Sequence, residues 1–309
     1  MLGIQTIASY VPNGRQSNID SSTLAAFDIK EDFVRNKIGV LSRAVKDSGE
    51  DTSDLALKAL RKVCEKAGIE LREIQALVVV TQNPDNNLPH VAAQVHGKAE
   101  LPDHCAAFDI SLGCSGYVYG LSIITSFMAS NGFERGVLIT ADPYSKIVDR
   151  ADKNTSLLFG DAATATLISN RPIFAIGPFS FGTKGSLSDA LICRDGKLHM
   201  NGREVFNLTA TGVPPDILNL LQVAGLNKDE VDLYLLHQGS KYIVDTIRGR
   251  LGVPAEKVPL GLEEVGNTVS SSIPLLLESA ISRDSITTMV LSGFGVGLSW
   301  ASCVCKKGS

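Results

Sequence analysis

Two stretches of this chain, AGIELREIQALVVV (Ala67–Val80) and AGLNKDEVDLYLLH (Ala224–His237), align without a gap, 157 residues apart. Each reads as the end of a helix, a short acidic turn, and an apolar run suited to a buried strand. Further matches follow in the same order. LGCSGYVYGL (Leu112–Leu121) parallels VGNTVSSSIP (Val265–Pro274), RGVLITAD (Arg135–Asp142) parallels TTMVLSGF (Thr287–Phe294), and ATATLIS (Ala163–Ser169) parallels LSWASCV (Leu298–Val304). Self-similarity at about half the chain length predicts two copies of one structural unit.

Within the first copy, helices are expected over Asp54–Lys66, Pro89–Ala99 and Ser115–Asn131, and strands over Gln75–Thr81, Cys105–Asp109 and Gly136–Thr140. This alternation predicts an α/β fold with a mostly parallel sheet covered on both faces. The two copies are expected to pack helix against helix around a shared middle layer. Asp142–Phe159 is too polar for core and predicts a loop or lid, and Asn170–Gly177 is the expected hinge. The halves are therefore set at 1–170 and 171–309.

The chain has 309 residues, which suits two domains of about 150 residues or one large α/β body. With 44% hydrophobic and 20% charged residues it is no disordered chain. Its 29 basic and 33 acidic side chains leave no footprint for nucleic-acid binding. MLGIQTIASYVPNGR has no basic start followed by an apolar core, so no signal peptide is expected. No run approaches the ~20 apolar residues of a membrane span. Six cysteines without framework spacing suit reduced thiols, and hence a cytoplasmic protein.

The residues with most chemical content sit at strand ends. In AFDISLGCSGYVYGLSII (Ala107–Ile124) a strand closes near Ile110, a Ser-Leu-Gly turn follows, and Cys114 opens a long helix. A helix N-terminus favours thiolate, and the arrangement resembles a nucleophile elbow with Cys in place of Ser. Simple burial of a small apolar side chain explains Cys114 equally well. His237 ends the run VDLYLLHQGS, at the carboxyl end of a strand where catalytic groups concentrate, or else merely caps a loop. Asn267 reads alone as a helix N-cap. The repeat, however, sets Asn267 opposite Cys114 and His237 opposite Val80, so that Cys, His and Asn converge on one seam. The closing GFGVGLSW (Gly293–Trp300) leaves no room for the helix of a dinucleotide fingerprint. It is expected to make a tight turn that offers the Val296 N–H as an oxyanion donor.

These residues, together with MNGREVF (Met200–Phe206) and FGDAA (Phe159–Ala163), occur in an order and spacing that resemble the β-ketoacyl-acyl carrier protein synthase III family of the thiolase superfamily. The resemblance covers nearly the whole chain. It implies a thiolase-like five-layer α-β-α-β-α sandwich of two five-stranded halves, and a homodimer. It also implies a decarboxylating Claisen condensation. Cys114 would carry the acyl group, and malonyl-acyl carrier protein would supply the enolate. His237 and Asn267 would hold the enolate oxygen as N–H donors, and the Cys114 and Val296 amides would hold the oxyanion. Phe294 would line the malonyl pocket and Leu88 the end of the primer tunnel. No metal and no tightly bound cofactor is implied; coenzyme A or phosphopantetheine thioesters are substrates.

Several positions depart from the family pattern. Phe33 stands in place of a base-stacking Trp, Lys37 and Lys153 in place of Arg, and Tyr242 in place of another Arg. Lys lacks the planar two-pronged grip of a guanidinium, which shifts the expected primer from coenzyme A toward an acyl carrier protein thioester. Val296 replaces a Gly. Lys241, Arg248 and Arg250 are candidates for docking an acidic carrier protein. The competing reading is acyl transfer from Cys114 to a hydroxyl or amine; retention of Asn267 argues against it, since that reaction forms no enolate.

Overall fold

The structure, a computed structural model, describes residues 2–308. The first half supplies strands β1 (Gly3–Tyr10), β2 (Ala76–Val80), β3 (Ala106–Ile110), β4 (Arg135–Ala141) and β5 (Ala163–Ser169). The second supplies β6 (Phe174–Thr183), β7 (Leu233–Leu236), β8 (Thr288–Gly295) and β9 (Ser299–Lys307). Their order in space is β7-β8-β9-β6-β1-β5-β4-β2-β3. The halves join edge to edge through only two residue pairs, Gly3 with Ala175 and Ile4 with Phe174.

Six longer helices cover the sheets: α1 (Thr52–Ala67), α2 (Val91–Ala99), α3 (Gly116–Asn131), α4 (Gly202–Val223), α5 (Lys241–Leu251) and α6 (Ser272–Ala280). Three apolar cores define the layers. α1 and α2 pack on the outer face of the first half through residues such as Leu60, Val63 and Val95. α4 and α5 do the same for the second half through Ile217, Leu221 and Ile247. Between the sheets, Tyr117, Leu121 and Ile124 of α3 meet Ile273 and Leu277 of α6. This is the α-β-α-β-α sandwich. None of the described helices is long and apolar enough to cross a membrane.

The repeat is visible in local chemistry. α1 ends at Gly68 (φ 64°), and a 3-10 turn with reciprocal capping between Glu70 and Glu73 leads into β2. α4 is followed by Gly225 (φ 66°) and a 3-10 turn capped between Asn227 and Glu230, which leads into β7. A left-handed φ suits glycine, which has no Cβ to clash.

Four expectations need correction. The sheet is mixed rather than mostly parallel: β2 runs parallel to β3 and β4, and β7 to β8, while the other five pairings are antiparallel. The cause is that β4 and β8 return to their neighbours without a crossover helix. The second half has four strands in the sheet, not five. Where a fifth would lie, Pro259 lacks an N–H and the Gly261 N–H is taken by the Gln238 side chain at 3.0 Å. The segment Asp142–Phe159 is a loop with short helical turns, but Asp142, Tyr144, Thr155 and Leu157 are buried. Finally, Asn170–Gly177 is no hinge, since Phe174–Gly177 already belongs to β6 and Phe174 is fully buried.

Candidate active site

Cys114 lies two residues before the first residue of α3, in the turn that follows β3. Close packing shapes this turn. A Cβ on Gly116 would stand 2.5 Å from Val80 Cγ1, so its absence lets α3 settle on β2. The backbone of β8 presses on the cysteine from the other side, where a Cβ on Gly295 would stand 2.7 Å from Cys114 Sγ. The Ser115 and Ser299 hydroxyls lie 2.8 Å apart, and Ser299 donates to the Val296 carbonyl at 2.8 Å. The nucleophile turn and the turn after β8 are thus laced together.

Cys114 is only 3% exposed. Burial pushes its thiol up to about 12 and the Asp142 carboxylate adds to the rise, while the backbone N–H groups of Val296 and Cys114 pull it down. The expectation of a readily ionised thiolate is therefore overturned. A helix N-terminus contributes at most about 2 kcal/mol, whereas a rise from 9.0 to about 12 corresponds to roughly 4 kcal/mol. Burial wins. Asp142 is itself fully buried; it accepts from the Gln82 N–H at 3.1 Å and the Asn83 amide at 2.8 Å, and its Oδ2 has no partner. Burial raises its pKa to about 7.

Cys114, His237 and Asn267 line one cavity of about 560 Å³. His237 is 2% exposed and follows β7; burial drives its imidazole down to about 3. Its Nδ1 lies 2.8 Å from Ser272 Oγ, at the start of α6. That hydroxyl can donate to Nδ1 or accept from it, so it supports either neutral tautomer and leaves Nε2 for the cavity. The Phe294 ring meets the imidazole edge to face at 5.4 Å.

Asn267 is 4% exposed. Leu158 and the FGDAA segment that follows it hold it: Asn267 N–H donates to Leu158 O at 2.8 Å, and Gly160 N–H donates to Asn267 O at 3.0 Å. Its Oδ1 accepts the Val269 N–H at 2.9 Å. Val269 makes this bond from a left-handed φ of 54°, a costly conformation for a β-branched residue. With the oxygen committed, the amide nitrogen is the group left to donate into the cavity.

Phe33, Lys37, Lys153 and Tyr242 also line the cavity, as does Phe294. Tyr242 stacks on Phe206 with ring centres 5.1 Å apart, and Lys37 Nζ sits 4.3 Å from the centre of the Tyr242 ring. Val296 does not line the cavity, and only its backbone turns toward the sulfur. Leu88 is not brought to the cavity of its own chain; it is 86% exposed on the loop before α2. Lys241 and Arg248 both pair with Asp245, at 2.5 and 3.3 Å, which spends part of their charge locally. Arg250 is exposed on the same helix, α5.

Sequence reasoning missed Ser272, Val269, Asp142 and the cavity-lining Arg203. Arg203 lies inside the MNGREVF motif, where Asn201 caps α4 by accepting the Glu204 N–H at 3.3 Å, so the motif itself was a signal. Ser272 carried no local signal, because its partner lies 35 residues away. Among the described residues no cluster of three or more His, Cys, Asp or Glu side chains is placed to hold a metal ion.

Comparison with known proteins bears directly on this arrangement. A family model described as 3-oxoacyl-[acyl-carrier-protein (ACP)] synthase III matches residues 108–185, and its C-terminal counterpart matches residues 221–307. The chain is 33% identical to the β-ketoacyl-[acyl-carrier-protein] synthase III of Lactococcus lactis subsp. cremoris, over 97% of this chain and 98% of that one. It is 34% identical to β-ketoacyl-[acyl-carrier-protein] synthase III 1 of Bacillus anthracis, over 99% of both. A crystal structure of a 3-oxoacyl-(acyl-carrier-protein) synthase III superposes with a TM-score of 0.92 at 32% identity, covering 99% of each chain. With fold, buried cysteine cavity and full-length similarity in agreement, the chain belongs to the β-ketoacyl-[acyl-carrier-protein] synthase III family.

Proposed function

We propose that this protein condenses an acyl thioester with malonyl-acyl carrier protein, releasing CO₂ and a 3-oxoacyl-acyl carrier protein. The observation that carries the reading is the convergence of Cys114, His237 and Asn267 on one cavity, with Asn267 Oδ1 already bound to Val269. Cys114 Sγ attacks the primer thioester. Its proton passes to the departing thiolate with His237 Nε2 as relay and Nδ1–H donating to Ser272; for the second step the ring takes the Nε2–H tautomer, with Ser272 donating to Nδ1. The tetrahedral oxygen rests on the Cys114 and Val296 N–H groups, of a kind worth about 3 kcal/mol each.

Malonyl thioester then enters beside Phe294. As CO₂ leaves, the electron pair moves to the thioester oxygen, which receives N–H bonds from Asn267 Nδ2 and His237 Nε2. The enolate carbon attacks the acyl-cysteine carbonyl, and the expelled Cys114 thiolate takes a proton from solvent. An imidazole held near 3 is a weak base but remains a neutral N–H donor at pH 7. The committed Asn267 oxygen, which leaves an N–H for an enolate, favours condensation over transfer to a hydroxyl or amine, a reaction that forms no enolate.

In this reading residues 1–170 bring the nucleophile and 171–309 bring His and Asn. The substrates are coenzyme A or phosphopantetheine thioesters, and no resident cofactor takes part. Phe33, Lys37, Lys153 and Tyr242 receive the carrier arm, and Arg250, with what remains of the Lys241 and Arg248 charge, meets the acidic carrier protein. Lys37, Lys153 and Tyr242, standing in place of guanidiniums, favour the carrier-protein thioester as primer. The protein acts in the cytoplasm, with all six cysteines free. It works as a homodimer: β3 is an open sheet edge, half-buried along its length, with Ile123 and Phe181 exposed.

The test separates the two steps. Asn267→Ala should still form the acyl-Cys114 mass adduct, while release of CO₂ from malonyl-acyl carrier protein falls by about 10² or more. Equal loss of both steps would contradict the assigned role.

A further inference from the structure

The short helical turn Lys153–Ser156 touches two hollows. Lys153 and Asn154 line the catalytic cavity, while Ser156 lines a separate hollow of about 360 Å³. Arg43 and Arg150 both line this second hollow. Arginine ion pairs among the described residues engage Arg35, Arg72, Arg135, Arg194 and Arg248, not these two. Two guanidiniums therefore face one space without an ion pair; burial weighs most on the Arg43 charge, Arg150 opposes it, and the Asp161 carboxylate only partly offsets them.

Arg43 is held in place from behind. Its Nε donates to Asn18 Oδ1 at 2.9 Å, and buried Asn18 donates in turn to Val40 O and Leu157 O at 3.0 and 2.8 Å. That leaves the terminal amino groups of Arg43 for a ligand. Ser156 is 4% exposed, and its Oγ has no hydrogen-bond partner. Ser17 Oγ accepts the Ile19 N–H at 3.2 Å, so its own O–H remains free to donate. The one carboxylate lining the hollow, Asp20, is committed to the Thr23 N–H at 2.9 Å and to the hydroxyls of Ser22 and Thr23.

The geometry points to an anion site here, one that takes a phosphate group between Arg43 and Arg150 with the Ser156 and Ser17 hydroxyls donating. Two forked cations and two hydroxyls offer donors in several directions, which suits a tetrahedral phosphate better than a planar carboxylate. Occupancy would pin the Lys153–Ser156 turn, and with it two residues of the cavity wall. The phosphate comes either free from solution or from the nucleotide end of a coenzyme A thioester.

Titration calorimetry on the full-length protein at constant ionic strength tests this, with inorganic phosphate, coenzyme A and 3′-dephospho-coenzyme A as probes. Arg150 is exposed, so Arg150→Ala avoids the folding risk of Arg43→Ala; Ser156→Ala is the second variant. The expected result is saturable phosphate binding that Arg150→Ala weakens by about tenfold or more and Ser156→Ala by less. If coenzyme A binds more tightly than its dephospho form, and Arg150→Ala erases that difference, the site serves the substrate's phosphate. Equal binding of the two, with phosphate binding still lost in Arg150→Ala, identifies a free anion. No saturable phosphate binding, or binding unchanged in both variants, overturns the proposal. The readout is binding rather than turnover, so its failure leaves the condensing reaction untouched.

Discussion

Asp142 stands behind Cys114 with one carboxylate oxygen unpartnered, and it links the acidity of the site to the stability of the protein. Burial lifts its pKa in the folded protein to about 7, above the ordinary 3.8 of an Asp carboxyl, so the protonated form is the one the fold favours. The stability it contributes is full below pH 3.8 and is lost as pH rises through about 7. Asp142→Asn should therefore gain up to about 4 kcal/mol relative to the parent above pH 7 and almost nothing below pH 4, read from urea unfolding across pH. The same substitution removes a charge that opposes the thiolate. Iodoacetamide should label Cys114 faster at pH 8 in the variant; an unchanged rate would show that Asp142 does not act on the sulfur.

The end of β8 is the element that most tightly constrains the chemistry. Gly293 and Gly295 let the β8 backbone approach the cysteine, since a Cβ on Gly293 would fall 2.6 Å from the Cys114 carbonyl oxygen. At Gly295 an added methyl meets the sulfur rather than a flexible chain end. Gly295→Ala should cost about 1–3 kcal/mol of stability through overpacking. Acylation of Cys114 should drop by more than about tenfold, because each 1.4 kcal/mol lost at the transition state is a factor of ten. Intact mass after incubation with a thioester checks this, and a fully acylated variant would refute the close approach.

Across the whole molecule, the proposed homodimer would set a second protomer against exposed Leu88 and the open edge at β3. Leu88 cannot reach the cavity of its own chain, so a role at the tunnel end requires the partner's tunnel. Sedimentation should report a dimer. Leu88→Ala should shift the preferred primer toward longer acyl chains, read as Cys114 adducts across a thioester panel, without changing the sedimentation coefficient. A monomer, or an unchanged primer range, would refute the link between dimer and tunnel.

The repeat, the α/β class and the positions of Cys114, His237 and Asn267 were legible in the chain because each rests on local pattern: a capped helix end, an apolar run, a polar residue where the run stops. Register was less legible. β2 pairs Ala76 with Gly136 and β7 pairs Leu233 with Met289, which makes Gly136 the counterpart of Met289, whereas the sequence match set it against Thr288. β5 and β9 slip by two: Ala165 lies opposite Ile139, and Ser302 opposite Ser292, so Ser302 rather than Trp300 is the counterpart of Ala165. Strands buried on both faces carry no alternation to mark such a slip. What only the tertiary structure decided is the protonation of the site and the partners of its side chains. A thiol and an imidazole resting neutral, an asparagine oxygen claimed by Val269, and a histidine steadied by Ser272 all depend on which distant segments exclude water there. Desolvation is a property of the packed molecule, and no window along the chain contains it.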